Sequence, residues 1–489
     1  FVSQNPSLRW DFETEPEPHA NNRRLTPPRG KVLGGSSSIN AMIYARGNPL
    51  DYDQWRQLGL EGWGYNDVLP YFKRSEDSCR GGDDYHATGG PLKTSQLGIE
   101  NPLYDLFSIS AEKLGFAKSS DYNGAEPEGI ARPDMTIGGG RRSSTARVFL
   151  KPAMSRPNLR VETRALGHRV LVENGQAMGV EYGKGGRVLK AHAACEVILA
   201  GGSYNSPQIL LLSGIGPADE LKAMGVEPVL DRAQVGKNLH DHVNAVLSFD
   251  LCQPVSLDPL LRFDRISLSA LQWSLFRRGP LANFPTSCVC FIRVHPESER
   301  PDLEYLVSPI YPDANIWFPG IRKPAGHRFN NRMAVLHPRS RGALTLRSSD
   351  PAAMPRILWN LFDDPADLDT LMKGVKTMRE IYATPPLSDV VDKEESPGPD
   401  VRTDDEIKEW LRNNCQTAQH PAGTCRMGSD PESVVDQELR VRGIEGLRVA
   451  DCSIMPDVVG SNTNAPTIMI AEKAVDMILG RDPLPAAEL

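Results

Sequence analysis

No two cysteines stand as C-x-x-C anywhere in the 489 residues, so a zinc knuckle has no support in the sequence. The eight cysteines, at 79, 195, 252, 288, 290, 415, 425 and 452, are scattered. That fits a reducing, cytoplasmic-type compartment, and no metal site is expected. Basic runs are also missing, and the net charge is -7. Both argue against a nucleic-acid partner, because neutralising phosphates needs a concentrated basic face. Long apolar runs are lacking as well. The longest, around Ile209 to Leu212, is far too short to cross a bilayer, and no charged-then-apolar leader opens the chain. A cytoplasmic protein, at most peripherally associated with a membrane, is the expectation. What remains is 40% apolar and 24% charged, which is globular in character and long enough for two or more domains built around a small-molecule site.

Helix signals are explicit. Asn101-Pro102 and Asp364-Pro365 read as helix starts. After Pro365 the apolar set Leu368, Leu371, Met372, Val375, Met378, Ile381 and Tyr382 follows helical spacing. Thr403-x-x-Glu406 is a capping box. Strand-like runs alternate with these: LRVETRALGHRVLVE, GVEYGK, CEVILAGG, CVCFIRV, LEYLVSP, MAVLHP, GALTLRSS and LRVADCS. The mix predicts an α/β chain, α+β overall, with an open α/β sheet and a second, more antiparallel sheet. No internal repeat is present.

Three loops carry chemistry. RGKVLGGSSSINAMIYARG, residues 29 to 47, spends five small residues on one bend, which lets a backbone approach something closely. EVILAGGSYNSPQILLLSGIGP is a strand that breaks into Ala200-Gly201-Gly202-Ser203 and is expected to restart as a helix at Ser206-Pro207. A strand, a glycine turn and a helix N-terminus suit a nucleotide or another anion. LRVADCSIMPDVVGSNTNAPTIMIAEKAVDMILG repeats that logic, with Asp451 at the strand end and Pro466 near the start of a helix. QTAQHPAGTCRMG holds His420 before a proline, with a glycine bend beyond, and a histidine is the usual base near neutral pH. His240 and His242, in VGKNLHDH, are expected to be structural or to line a site. Trp317, Phe318, Tyr305 and Tyr311 are expected mainly in the core.

Together these stretches resemble the glucose-methanol-choline (GMC) family of flavin-dependent oxidoreductases. RGKVLGGSSSINAMIYARG is similar to the family's first signature, AGGSYNSPQILLLSGIGP to its second, and HPAGTCRMG and GSNTNAP to its catalytic segments. The resemblance implies a Rossmann-like FAD-binding domain with a parallel sheet (1–50, 151–250 and 435–489) and a substrate domain with an antiparallel sheet flanked by helices (51–150 and 251–434). It implies that Arg29, Gly34, Gly35, Ser36, Asn40, Ala41, Met42 and Ile43 lie along FAD. Gly167 would meet the adenine, Ala200 and Gly201 would line the cofactor, and Asp451, Thr463 and Asn464 would sit at the ribityl chain and pyrimidine. His420 would be the base that takes the hydroxyl proton of a primary alcohol, and Asn462 would hydrogen-bond the alkoxide oxygen. Ile39 stands where some members carry a flavin-linked histidine, so noncovalent FAD is expected. The electron acceptor would be oxygen or a quinone-like or dye-like compound.

Two alternatives share these residues: a hydroxynitrile lyase of the same family, and a cofactor-free paralogue. The family's G-x-G-x-x-G turn is not in the chain, and IGGGRR at 137 to 142 does not replace it. The expectation is that this part of the FAD domain belongs upstream of Phe1.

Overall fold

The computed structural model describes every residue except 1–4, 97–100, 284 and 312–313. Its largest feature grows from stretches of β-branched, aromatic and aliphatic residues that alternate between two faces. Val243–Leu251 (β6), Cys288–Ile292 (β7), Leu303–Ser308 (β8) and Arg328–Val335 (β9) pair antiparallel. Gly129–Ala131 (β1), Val391–Ser396 (β10) and the short Gln416–Thr417 (β11) complete a seven-stranded sheet. Its order is β10-β6-β9-β8-β7-β1, with β11 also on β6.

One face of this sheet presents Phe249, Tyr305, Phe329 and Met333 to the main core. The helix Pro365–Tyr382 (α6) packs there. Its seven apolar residues at helical spacing are all buried, and Asp364 caps it by accepting from Ala366 N at 2.9 Å. Each such side chain contributes ~1.5–3 kcal/mol of transfer free energy before entropy is counted. Tyr305 is a core residue whose hydroxyl donates to the Gly374 carbonyl, whereas Phe318 is exposed. The opposite face carries a smaller cluster in which Val289, Phe291 and Leu336 meet Ile43 and Ala45, with Met42 and Leu306 packed against it. The second face of the sheet therefore covers the first of the glycine-rich loops.

The parallel component among the described residues is short. Val197–Leu199 (β5) pairs in parallel with Leu447–Val449 (β12), and each strand runs directly into one of the loops singled out above. Beside them lies a three-stranded antiparallel sheet, Leu166–Glu173 (β2), Gln176–Lys184 (β3) and Arg187–His192 (β4).

The helix after β5 begins at Gly202, not at Ser206-Pro207 as the sequence suggested, and runs to Leu212 (α4) with Pro207 inside it. Proline lacks the N–H that would bond four residues back, at Ser203. The freed Ser203 carbonyl is taken by the Thr424 hydroxyl at 2.8 Å, so the loss is compensated. Other starts agree with their sequence signals. Pro49–Gln57 (α1) opens with an Asn48/Asp51 capping box, and Asp404–Asn414 (α7) opens with the Thr403/Glu406 box. Leu103–Glu112 (α3) follows Asn101, whose side chain accepts from Leu103 N. Phe263–Phe276 (α5) turns Leu268, Leu271 and Leu275 outward. No helix among the described residues is long and apolar enough to cross a membrane.

Candidate active site

The chain approaches His420 through a strained position. Gln419 has φ 69°, a left-handed conformation that a residue with a Cβ adopts only when its surroundings hold it there. Arg29 Nη2 donates to the Gln419 carbonyl at 2.5 Å, and Gln419 N donates to the Thr417 hydroxyl at 2.8 Å. The buried Asp241 accepts from His420 N and from the Thr417 hydroxyl, both at 2.8 Å. Burial pushes the Asp241 carboxyl up to about 7 against the opposing pull of those donors and of Arg29.

The His420 ring lies between two partners. Its Nδ1 is 3.0 Å from Nδ1 of His242, and its Nε2 is 3.2 Å from Nδ2 of Asn462. An amide nitrogen can only donate, so the assignment that satisfies both contacts leaves Nε2 of His420 unprotonated and puts its proton on Nδ1, shared with His242. That assignment places the second proton of the pair on Nε2 of His242, which is buried without a partner; Oδ1 of Asn462 is also unpartnered. Burial first, then His242, Arg29 and Arg332, holds the His420 pKa well below its ordinary value. Burial likewise takes His242 down to about 3. A neutral imidazole with a free lone pair, beside an amide, is a proton acceptor.

His240 has the structural role. Its Nδ1 contacts the Asn238 carbonyl at 2.7 Å while its Nε2 accepts from Val458 N at 2.9 Å, so both ring nitrogens are satisfied.

Asn462 is positioned from elsewhere. Buried Asp51, in the first turn of α1, accepts from Gly460 N at 2.7 Å and lies 2.9 Å from Nε2 of His337 and 2.8 Å from Arg300. Burial would raise the Asp51 pKa, but His337, Arg300 and the Gly460 N–H outweigh it and hold the group ionised.

The remaining loops lead to the same place. Ser203 Oγ donates to the Pro421 carbonyl at 2.6 Å, tying α4 to the residue after His420, and Cys425 N donates to the Ser453 carbonyl. Asp451 accepts from Gly202 N (2.8 Å), Ser206 Oγ (2.5 Å) and Ser453 N (2.8 Å), so it joins the α4 N-terminus to its own loop. Ala200 and Gly201 sit between β5 and α4. A Cβ on Gly201 would come within 3.1 Å of Ser206 N, so the turn needs a residue this small. Thr463 and Asn464 open Asn464–Ile478 (α8), whose N-terminus has no side-chain cap and no acidic residue in its first turn.

The first loop is held by its own polar side chains. Ser36 Oγ accepts from Gly30 N, and Ser37 is bonded to Gly34 O and Thr145. Asn40 accepts from Met42 N at 3.1 Å and from Arg142 at 2.6 Å. Gly34 has φ 85°, and a Cβ there would come within 2.9 Å of Ala146, whereas a Cβ on Gly35 would meet nothing within 4 Å. Ala41 and Met42 are half-buried and Ile43 is buried. Gly167 stands apart from the histidines. It lies on β2, and a Cβ there would meet Ile209 of α4 at 3.5 Å.

The chemistry of these residues fits a flavin nucleotide. The backbone at Gly35 and Gly202 leaves room for a close approach, and the uncapped α8 N-terminus and the unpartnered Asn462 oxygen suit a polar, partly anionic neighbour. Among the described residues no group of three or more His, Cys, Asp or Glu side chains could hold a metal ion.

His242, Asp241, Asp51 and Arg332 belong to the site, yet sequence reasoning did not single out the last three. The only signal for any of them was the HDH run at 240 to 242.

Comparison with known proteins identifies the family. Two profiles described as GMC oxidoreductase match residues 14–244 and 338–471. The chain is 43% identical over 477 residues to the oxygen-dependent choline dehydrogenase of Sinorhizobium fredii, covering 97% of this chain and 86% of that protein. It is 42% identical to that of Brucella anthropi, covering 99% and 88%. Among solved structures, pyridoxine 4-oxidase from Mesorbium loti superposes with TM-score 0.85 at 27% identity, covering 97% of this chain and 89% of the other. A formate oxidase variant from Aspergillus oryzae superposes with TM-score 0.90 at 25% identity, with the same coverage.

Proposed function

Because the chain belongs to the GMC oxidoreductase family, we propose that it oxidises a primary alcohol to an aldehyde with noncovalently held FAD, using His420 as the base. The observation that carries this reading is the His420–Asn462 pair, in which Nε2 of His420 stands 3.2 Å from Nδ2 of Asn462, a contact that an unprotonated Nε2 satisfies.

The step follows from the side chains. A substrate hydroxyl that replaces the amide contact donates its hydrogen bond to Nε2 of His420, while Nδ2 of Asn462 turns to the substrate oxygen. As the proton moves to Nε2, the imidazolium that forms keeps its Nδ1–H on His242, and the Asn462 amide stabilises the growing alkoxide charge. Bound FAD would supply the acceptor for the hydride released from the alcohol carbon. Arg29 and Asp241 hold the carbonyl and the N–H of the Gln419–His420 peptide, so the base stays aimed.

In the same proposal, residues 1–50, 151–250 and 435–489 form a Rossmann-like FAD-binding domain, and 51–150 and 251–434 the substrate domain. Arg29, Gly34, Gly35, Ser36 and Asn40 to Ile43 would lie along the cofactor. Ala200, Gly201, Asp451, Thr463 and Asn464 would line it, with Gly167 at the adenine end. Ile39, a hydrocarbon, cannot make a covalent flavin link. Oxygen or a quinone-like compound would take the electrons. A peripheral membrane location is supported by α5, whose exposed Leu268, Leu271 and Leu275 neighbour Arg265 and Arg278.

The experiment is an anaerobic absorbance spectrum of the purified protein before and after addition of a panel of primary alcohols. Bleaching of the flavin bands is expected. Bands that stay oxidised while a cyanohydrin is cleaved would replace this reading with a lyase.

A further inference from the structure

The face of the main sheet that covers the site carries polar side chains beside its apolar cluster. Strand register puts Asn244 and Val246 of β6, Arg332 and Ala334 of β9, and Glu304 and Leu306 of β8 on one face, and His242 stands just before β6, two residues from Asn244. His242 is the residue bonded to His420, which fixes the face as the one that looks into the active site. Along β9 the other set, Phe329, Asn331, Met333 and Val335, is buried toward α6. Ala334 lies between Asn244 and Glu304, and its methyl group leaves room there.

These polar groups are short of partners. Both amide atoms of Asn244 and Oε1 of Glu304 are buried with no hydrogen bond. The half-buried side chain of Arg332 makes no hydrogen bond or ion pair with any described residue, whereas that of Arg46 is held by Glu76, Tyr44 and the Tyr85 carbonyl. Burial pushes the Glu304 carboxyl up to about 7 against the opposing pull of Arg332, and the two side chains form no ion pair. Arg332 is nevertheless close enough to His420 to add to the depression of its pKa, and Glu304 has no such effect. A guanidinium has five donors in a planar fork, and leaving it unpaired beside a reacting centre is costly unless the substrate supplies the acceptors.

We propose that the alcohol taken by this site carries a carboxylate or equivalent anion, held by Arg332 with Asn244 beside it, and not a quaternary ammonium. This rests on the alcohol-oxidation reading above and names its substrate class. A trimethylammonium group would have to sit against the Arg332 guanidinium, so the choline named for the relatives is a poor fit here.

Two measurements on the flavin-loaded protein test it. The first is binding, which needs no turnover: titration with butanoate, followed by the shift of the flavin absorbance. Wild type is expected to bind and Arg332→Gln to bind roughly 10- to 100-fold more weakly. Failure of wild type to bind the carboxylate, or equal binding by the variant, overturns the proposal. The second compares kcat/KM for 4-hydroxybutanoate, 1-butanol and choline. The anionic alcohol is expected to lead, and its ratio to 1-butanol is expected to fall 10-fold or more in Arg332→Gln; choline as the best of the three overturns the proposal. Carboxylate binding without flavin reduction by any alcohol would leave the anion site standing and count against the oxidation reading alone.

Discussion

Replacing His242 with phenylalanine isolates what the second histidine does for the first. The variant keeps a ring of similar breadth but removes the acceptor 3.0 Å from Nδ1 of His420. In the resting state that contact is a hydrogen bond between neutral rings, with a net contribution of ~0.5–1.5 kcal/mol. When His420 holds the substrate proton, the same contact is a hydrogen bond from a cation, with a contribution of ~1.5–3 kcal/mol. Only the difference, about 1–1.5 kcal/mol, acts on the barrier, which corresponds to a roughly 5- to 13-fold slower flavin reduction. The assay is anaerobic stopped-flow at saturating alcohol, so that the limiting rate is read separately from binding. His242→Asn is the companion variant, because its Oδ1 lies close to where the imidazole nitrogen was, and it is expected to recover most of the rate. A phenylalanine variant as fast as wild type, or an asparagine variant as slow as phenylalanine, would refute the reasoning.

Gly34→Ala is expected to destabilise the protein by ~1–3 kcal/mol, since it combines φ 85° with contacts below 3 Å to Ser38 and Ala146; thermal unfolding measures it. Gly35→Ala carries the strain of φ 52° but meets nothing within 4 Å, so it is expected to melt between Gly34→Ala and wild type and to lose flavin as well, which the absorbance ratio reports. The alkaline side of the stability profile depends on His86. Burial lowers its pKa, but Asp121 and Glu76 outweigh that and hold it up at about 9. A raised histidine pKa gives stability that is complete below about 6.5 and is lost as pH rises through 9. His86→Gln should therefore melt well below wild type at pH 7, with the gap closing by pH 10; a constant gap would contradict this.

The parts legible in the sequence are those written locally. The helix α6 was readable because its cap, its proline and its seven apolar residues lie within one stretch, and α7 because its capping box spans four residues. His420 and Asn462 were readable through short motifs. The strand β10 was not, because VDKEES at a sheet edge is half exposed and shows no apolar alternation. The start of α4 was misplaced because the group that compensates Pro207, the Thr424 hydroxyl, lies 221 residues from the carbonyl it satisfies. The same holds for the supports of the site: His242 meets His420 across 178 positions, and Asp51 meets Gly460 across 409. Arg332 reads in the sequence as one more polar residue in a strand. Only the register of three strands puts it on the face that His242 shares.

The central claim, that Nε2 of His420 takes the hydroxyl proton, is tested most directly by anaerobic rapid mixing of one primary alcohol with wild type and with His420→Ala, after flavin content has been checked for both. The account predicts a variant that retains flavin and whose reduction is slower by roughly 10²- to 10⁴-fold. A flavin-loaded variant reduced at the wild-type rate would contradict it.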